Sequence, residues 1–323
     1  MTGLSLDDIH AASRRLHDRI TRTPVITSHA WDDATGYRVF FKCENLQRAG
    51  SFKIRGALNK LLTLDAAERR RGVIAYSSGN HAQGVALAAR MVGTSALICM
   101  PRDAPTLKIE ATRGYGAEIV FYDRLREDRE AKARRLAEET GRVMVPPYDD
   151  YAIMAGQGTA ALELLEEVSS LDVLVTPVGG GGLMAGCSTV ARALCPNAAV
   201  IGVEADTAND TYLSLEKGER VTIPPPPTIA DGIRVTTPGA LTFPVLQQNL
   251  TAIALVTDDE IRSAVRWLAL RAHLVVEPTG AVAAAGVLAR KLPAAPGARV
   301  GVILSGGNVD VDVLIETLRS EAD

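Results

Sequence analysis

The sequence predicts an α/β fold of open, mostly parallel, twisted sheets covered by helices. Three observations carry that reading. Short β-branched runs alternate with longer helical patterns through most of the 323 residues, and parallel strands need such crossovers. Polar, glycine-punctuated segments stand directly after several strand-like runs, where ligands of doubly wound sheets collect. No internal repeat signals a solenoid or a propeller instead.

Taken in order, Val39–Cys43, Gly72–Tyr76, Ala96–Met100 and Glu118–Tyr122 read as strands, with helices at about 57–64, 80–92, 105–114 and 126–140. The first helix follows Gly50–Gly56, a small-residue loop running straight into Ala57–Leu64. The second starts at Ser77–His81, where Asn80 is competent to cap. The rhythm resumes with strands near 173–178, 200–205, 252–257 and 299–305, and Gly179–Gly182 opens a helix over Leu183–Leu194. Val145–Asp150 is a crossing point between domains, while Ile223–Thr228, with its run of prolines, is a stiff loop inside one. The length allows two domains or one large α/β unit.

Hydrophobic residues make up 47% and charged residues 23% of the chain, an ordinary globular balance. A net charge of −3 gives no attraction to nucleic acid or to an anionic membrane. No apolar run is long enough to span a bilayer, and Asp7 and Asp8 stand where a signal core would begin, which predicts a cytoplasmic protein. Cys43, Cys99, Cys187 and Cys195 form no CxxC pair and no zinc spacing. Buried free thiols in a reducing compartment are expected.

Chemistry concentrates in four segments. The four glycines Gly179–Gly182 let the backbone approach an anion, and the helix they open supplies free N–H groups and a positive dipole end. A turn alone needs one or two glycines. A nucleotide pyrophosphate would also fit, but the segment is neither GxGxxG after a first strand nor a P-loop. Lys53, within Gly50–Gly56, would be a surface charge if it stood alone; as a nucleophile it needs a partly desolvated amine. Phe52 beside it would shield one face of a planar ring, and Arg55 points elsewhere and serves structure or electrostatics. In Ser77-Ser78-Gly79-Asn80-His81, hydroxyls and N–H groups would hold an amino-acid carboxylate, and the Asn80 amide would bond a phenolic oxygen. Helix capping accounts for one of these residues, not for the cluster. His81 lacks a visible Asp or Cys partner and reads as structural. Ser305–Asn308 closes the last strand. An amine, a phosphate-type cradle and small polar loops are together what pyridoxal phosphate chemistry requires.

These strings resemble the fold type II pyridoxal phosphate enzymes, in particular the threonine/serine dehydratases and serine racemases. The matching segments are Lys42–Ala57, Ser77–Gly84, Ala155–Thr159, Pro177–Gly182, Ile229–Gly232 and Leu304–Asn308, in family order over nearly the whole chain. The resemblance implies a tryptophan synthase β-like pair of sheets. A small mobile domain at 72–147 would close on a large domain made of 1–71 and 148–323, and two copies would pair as a homodimer. It assigns Lys53 to the covalent attachment of pyridoxal 5′-phosphate, Gly179, Gly180, Gly181 and Gly182 to its phosphate, Asn80 to the ring O3′, Ser305 to the pyridine nitrogen and Phe52 to the ring face. Ser77, Ser78, Gly79, Asn80 and His81 would meet the substrate.

The expected activity is loss of water and ammonia from L-threonine or L-serine, giving a 2-oxo acid. A serine such as Ser305 cannot hold the pyridine nitrogen protonated as a carboxylate would, so the ring is a weaker electron sink and elimination is favoured over a long-lived carbanion. Ser78 complicates this, because in the resemblance it faces Lys53 across the ring, where racemases carry a second acid/base; the alternative is a plain carboxylate contact. Serine racemase with dehydratase side activity is therefore the second reading, and a 3-hydroxyaspartate dehydratase the third. The last rests on Arg129, whose charged run Asp123–Arg129 is otherwise a solvated helix face. A non-catalytic binder of the cofactor is the reading from another class. Glu204, Ala208 and Asp210 match the Glu-x₃-Ala-x-Asp pattern of the racemase-type metal site, which implies Mg²⁺ or Ca²⁺, with Mn²⁺ also acceptable, in structural support. The chain ends soon after Asn308, so no C-terminal regulatory domain is expected.

Overall fold

Ten strands form two separate sheets in this computed structural model, which describes residues 3–104, 106–123 and 125–319. The strands are β1 (Val25–Ile26), β2 (Arg38–Cys43), β3 (Val73–Tyr76), β4 (Ala96–Pro101), β5 (Glu118–Tyr122), β6 (Val143–Met144), β7 (Val173–Pro177), β8 (Ala199–Ala205), β9 (Ala252–Val256) and β10 (Arg299–Leu304). The larger sheet runs β1-β2-β10-β7-β8-β9 and the smaller β5-β4-β3-β6. Only the β1–β2 pair is antiparallel; the others are parallel.

Between them lie α1 (Leu6–Leu16), α2 (His29–Thr35), α3 (Lys53–Thr63), α4 (Ala66–Arg71), α5 (Asn80–Val92), α6 (Thr106–Gly114), α7 (Arg129–Thr140), α8 (Tyr151–Val168), α9 (Gly182–Leu194), α10 (Asp210–Lys217), α11 (Thr242–Asn249), α12 (Asp258–Arg271), α13 (Pro278–Leu288) and α14 (Val311–Arg319). Several starts follow from side-chain capping boxes: Ser5 with Asp8 at α1, Asp65 with Glu68 at α4 and Thr257 with Glu260 at α12. Helix α13 is apolar nearly all round, with Pro278 at its first position, and is buried along almost its whole length.

The parallel strands are covered on both faces, so β3, β4 and β7 are buried at every residue, as their unbroken apolar runs require. One face of the large sheet packs on α12 and α13 through Phe41, Ile201, Val203, Val302 and their neighbours, with Trp31 edge-on to Phe41 at 5.0 Å. Its other face packs on α8 and α9, and the small sheet has a core of its own around Ile54, Leu58, Val85 and Ile98. Helices α3 and α8 approach backbone to backbone. A Cβ on Gly156 would meet the Arg55 carbonyl, and one on Gly56 would meet the Ile153 carbonyl.

The expected rhythm and the observed elements agree with two kinds of exception. Lys53 begins α3 rather than lying in a loop before Ala57, and α7 begins at Arg129 rather than 126. Pro105 and Arg124, which fall in the expected 105–114 helix and the charged run, lie outside the described residues. The segment Val145–Asp150 leads from β6 directly into α8. Among the described residues no helix is long and apolar enough to cross a membrane. The four cysteines are free thiols, three of them buried.

Candidate active site

The carboxyl ends of β2, β3, β7 and β10 lead into Glu44, Ser77, Val178 and Ser305; the chain after β2 runs into α3, whose start is met by the end of β10 and by the helix after β3. That start carries no side-chain cap; Phe52 holds the N-cap position without such a bond. It is fixed from far along the chain instead. The Phe52 N–H donates to the Ser305 carbonyl at 3.1 Å, and Ser51 bridges Gly306. This is why no local signal marks Lys53 as the first helical residue.

Lys53 Nζ donates to the Pro147 carbonyl at 2.9 Å and lies 5.0 Å from the centroid of the Phe52 ring. Burial holds its ammonium down to about 8, against the opposing pull of Glu277. Helix α5 packs straight onto it, since a Cβ on Gly84 would press on the Lys53 backbone.

At the end of β3, the Ser77 hydroxyl accepts from the Gly79 N–H at 3.2 Å, and Ser78 is half-buried. The N-cap of α5 is Gly79, not Asn80 as expected. The Asn80 amide is used sideways: Nδ2 donates to Glu277 Oε1 at 2.5 Å, and Oδ1 accepts from Asn308 Nδ2 at 2.8 Å. An amide held on both sides cannot also turn back to cap. His81 is buried, donates from Nε2 to the Val145 carbonyl at 2.9 Å, and is kept neutral, its pKa lowered to about 3 by burial and then by Lys53.

Gly179–Gly182 lies between β7 and α9. Gly181 has φ +91°, which only glycine adopts without strain, and a Cβ on Gly180 or Gly182 would run into Tyr148. Ser305 is buried at the end of β10, its hydroxyl 3.4 Å from the Thr279 carbonyl. Arg129 opens α7 with its guanidinium 5.9 Å from the Tyr76 ring centroid.

Glu277 was not foreseen. It is buried beside Asn80, and burial together with Asp231 pushes its carboxyl up to about 8, so it and Lys53 titrate in the same range. Its only local signal is Glu277-Pro278-Thr279-Gly280, a helix start with proline at the first position. Behind α3 lies a closed set of charges. Arg55 grips Glu44 at 2.7 Å through Nε and Nη2, and Glu163 at 2.7 and 2.8 Å through Nη1 and Nη2; Nη1 also reaches Thr159. Lys42 completes the set, donating to Glu163 and to the Thr23 carbonyl at 2.6 Å each.

Glu204 and Asp210 form a second buried acidic pair at the end of β8 and the start of α10, with Ala208 buried between them in sequence. Glu204 accepts from the N–H groups of Thr211 and Tyr212 at 3.2 and 2.8 Å. Both Asp210 carboxylate oxygens are buried without a hydrogen-bond partner. Burial pushes Asp210 up to about 7, and burial plus the Asp210 charge pushes Glu204 well above the usual carboxylate range. Among the described residues, no three His, Cys, Asp or Glu side chains gather as a metal cluster.

Comparison with known proteins points one way. The family described as "Pyridoxal-phosphate dependent enzyme" matches residues 16–306. An L-threo-3-hydroxyaspartate ammonia-lyase from a Pseudomonas species is 48% identical over 98% of both chains. An L-threonine ammonia-lyase from Thermotoga maritima is 42% identical over 96% of this chain and 77% of its own. The crystal structure of serine racemase from Dictyostelium discoideum superposes with a TM-score of 0.90 at 41% identity, over 95% of this chain and 99% of the other.

Proposed function

The chain belongs to the pyridoxal-phosphate-dependent enzyme family, and on that premise we propose that it is an ammonia-lyase of β-hydroxy amino acids, releasing a 2-oxo acid and ammonia. One observation carries the reading: a buried lysine amine, lowered to about 8, at the start of α3 beside the end of β10 and bonded to the Pro147 carbonyl. An amine that loses its proton near neutrality serves both as a nucleophile toward an aldehyde and as a base.

The residues present suit the cofactor. Side chains are excluded at Gly180–Gly182, and the run opens α9 at its positive end, so it would hold the phosphate. Lys53 would hold the aldehyde end, Phe52 would cover a ring face, and Asn80 and Ser305 would bond O3′ and the pyridine nitrogen. When bound, pyridoxal phosphate supplies an electron sink for the pair left behind as the substrate loses its Cα proton. Lys53 Nζ takes that proton. Ser77, Ser78 and Gly79 hold the substrate carboxylate, with Asn80 and His81 behind them, and the buried surroundings of Lys53 exclude water.

L-Threonine, L-serine and 3-hydroxyaspartate are the candidate substrates. Arg129, beside Tyr76 at the site's edge, favours the dicarboxylate, as does the likeness to the Pseudomonas enzyme. Racemisation is the second reading, because Ser78 is half-buried and free to act on the second face. Residues 72–147 close over 1–71 and 148–323, a reading supported by the Lys108–Asp231 ion pair of 2.7 Å from α6 to the far side. A homodimer fits the exposed apolar Leu46, Val275 and Val311, and a cytoplasmic setting fits the free thiols. Glu204, Asp210 and the Ala208 carbonyl take Mg²⁺, Ca²⁺ or Mn²⁺, which suits hard oxygen donors and the partnerless Asp210 oxygens.

A panel of the three substrates, scored by 2-oxo acid release, tests the activity. Wild type turns over at least one, and Lys53→Ala turns over none. Release by Lys53→Ala at the wild-type rate would sink the assignment. Chiral analysis of serine, with Ser78→Ala as control, separates racemisation from elimination.

A further inference from the structure

Asp149 stands at the exit of the small sheet, in the segment leading into α8, and its carboxylate is held by a part of the chain about ninety residues away. Oδ2 accepts from the Ala240 N–H at 3.0 Å, and Oδ1 accepts from Leu241 and Thr242 at 2.7 and 3.2 Å. These are the amides at the start of α11, a helix whose own N-cap, Leu241, offers no side-chain bond. Asp149 therefore caps that helix from outside it. The fit is close, since a Cβ on Gly239 would strike the Asp149 carboxylate.

The capped turn holds the glycine run in its turn. The Thr242 hydroxyl donates to the Gly180 carbonyl at 2.7 Å, and the Gly239 N–H reaches the same oxygen at 3.3 Å. A Cβ on Gly181 would meet Thr242 and Leu246, so the run lies directly against this turn. In a trans peptide the carbonyl and the next N–H point in opposite directions. Fixing the Gly180 oxygen on Thr242 and Gly239 therefore aims the Gly181 N–H away from them. The neighbouring residue, Tyr148, lies over Gly180 and Gly182 from another side.

We propose that Asp149 is a positioning residue for the cofactor phosphate, acting through the first turn of α11 and Thr242 on the Gly180–Gly181 peptide. This rests on reading Gly179–Gly182 as the phosphate cradle. Asp149 does not touch the anion. Its negative charge is spent on three amides, so it orients donors without opposing the phosphate.

The test titrates the full-length apoprotein with pyridoxal phosphate and, separately, with pyridoxal, which lacks the phosphate, following binding by absorbance and fluorescence. Asp149→Ala is expected to weaken pyridoxal phosphate about tenfold while leaving pyridoxal nearly unchanged. Asp149→Asn, which keeps one accepting oxygen, falls between. Thr242→Val, with its fold checked by thermal melting, shows the same selective loss, and the double variant loses no more than the larger single one because both act along one path. Equal affinity of Asp149→Ala and wild type for pyridoxal phosphate overturns the role of Asp149. So does an equal loss toward both ligands, or additive losses in the double variant. A wild-type protein that binds pyridoxal phosphate no better than pyridoxal overturns the cradle reading itself, and this proposal with it.

Discussion

Two clusters of buried charge are treated in opposite ways. Behind α3, two cations and two carboxylates balance, and every N–H of the Arg55 guanidinium has an acceptor. At the start of α10, two carboxylates lie together without a paired cation among the described residues, and no side chain bonds the Asp210 oxygens there. Burying an ion is costly unless it is paired and bonded. The first cluster meets that requirement from within the chain and so is complete as it stands. The second meets it in one of two ways, by keeping protons or by taking up a divalent cation. A balanced cluster is complete within the chain; an unbalanced one needs protons or a cation from outside it.

The largest effect is expected where balance is complete. Arg55→Met leaves buried Glu44 without a cation and Glu163 with Lys42 alone, and should cost about 3–5 kcal/mol of stability, read by calorimetry. A variant melting like wild type would show that the acids find other partners, and the contrast would fail. Next comes the metal. Mg²⁺ at a hundred times its dissociation constant should stabilise chelator-treated protein by about 2.7 kcal/mol, and Asp210→Asn should abolish this. An unchanged melt on adding Mg²⁺, Ca²⁺ or Mn²⁺ would leave protons as the only answer to the pair.

The third effect is in pH, and its signs differ between the clusters. Glu163 is buried, yet its bonds to Arg55 and Lys42 hold it below the usual carboxylate range. Its contribution is present above the unfolded pKa and is lost as pH falls through the lower folded value. Asp210 is raised to about 7, so without metal the folded state keeps a proton that the unfolded chain has released. Stability from this group falls as pH rises from the usual carboxylate range to about 7. Wild type minus Asp210→Asn, measured in chelator, should show that slope, and saturating Mg²⁺ should remove it. No difference in slope between the two would mean Asp210 is not the group that titrates.

How much of this was legible in the sequence follows from where each signal sits. Gly179–Gly182, Ser77–His81 and Ser305–Asn308 declare themselves locally, because a strand, a polar turn and a helix start are contiguous. Strands β1 and β6 have two residues each and leave no alternation to detect. The start of α3 was misplaced because its anchor, Ser305, is more than two hundred residues away. Glu277, the Arg55 cluster and the capping of α11 by Asp149 share that property. Each joins groups far apart in the chain, and each partner alone resembles an ordinary surface charge.

The insertion of β10 between β2 and β7, with its end bonded to Phe52, sets a schedule for biosynthesis. Every other strand of the large sheet leaves the ribosome before the one that must enter its middle. The nascent N-terminal half therefore presents Lys53 on an unfinished support, without Ser305, Gly306 or Glu277. If Lys53 holds the cofactor as proposed, its binding site is complete only after β10 has been synthesised.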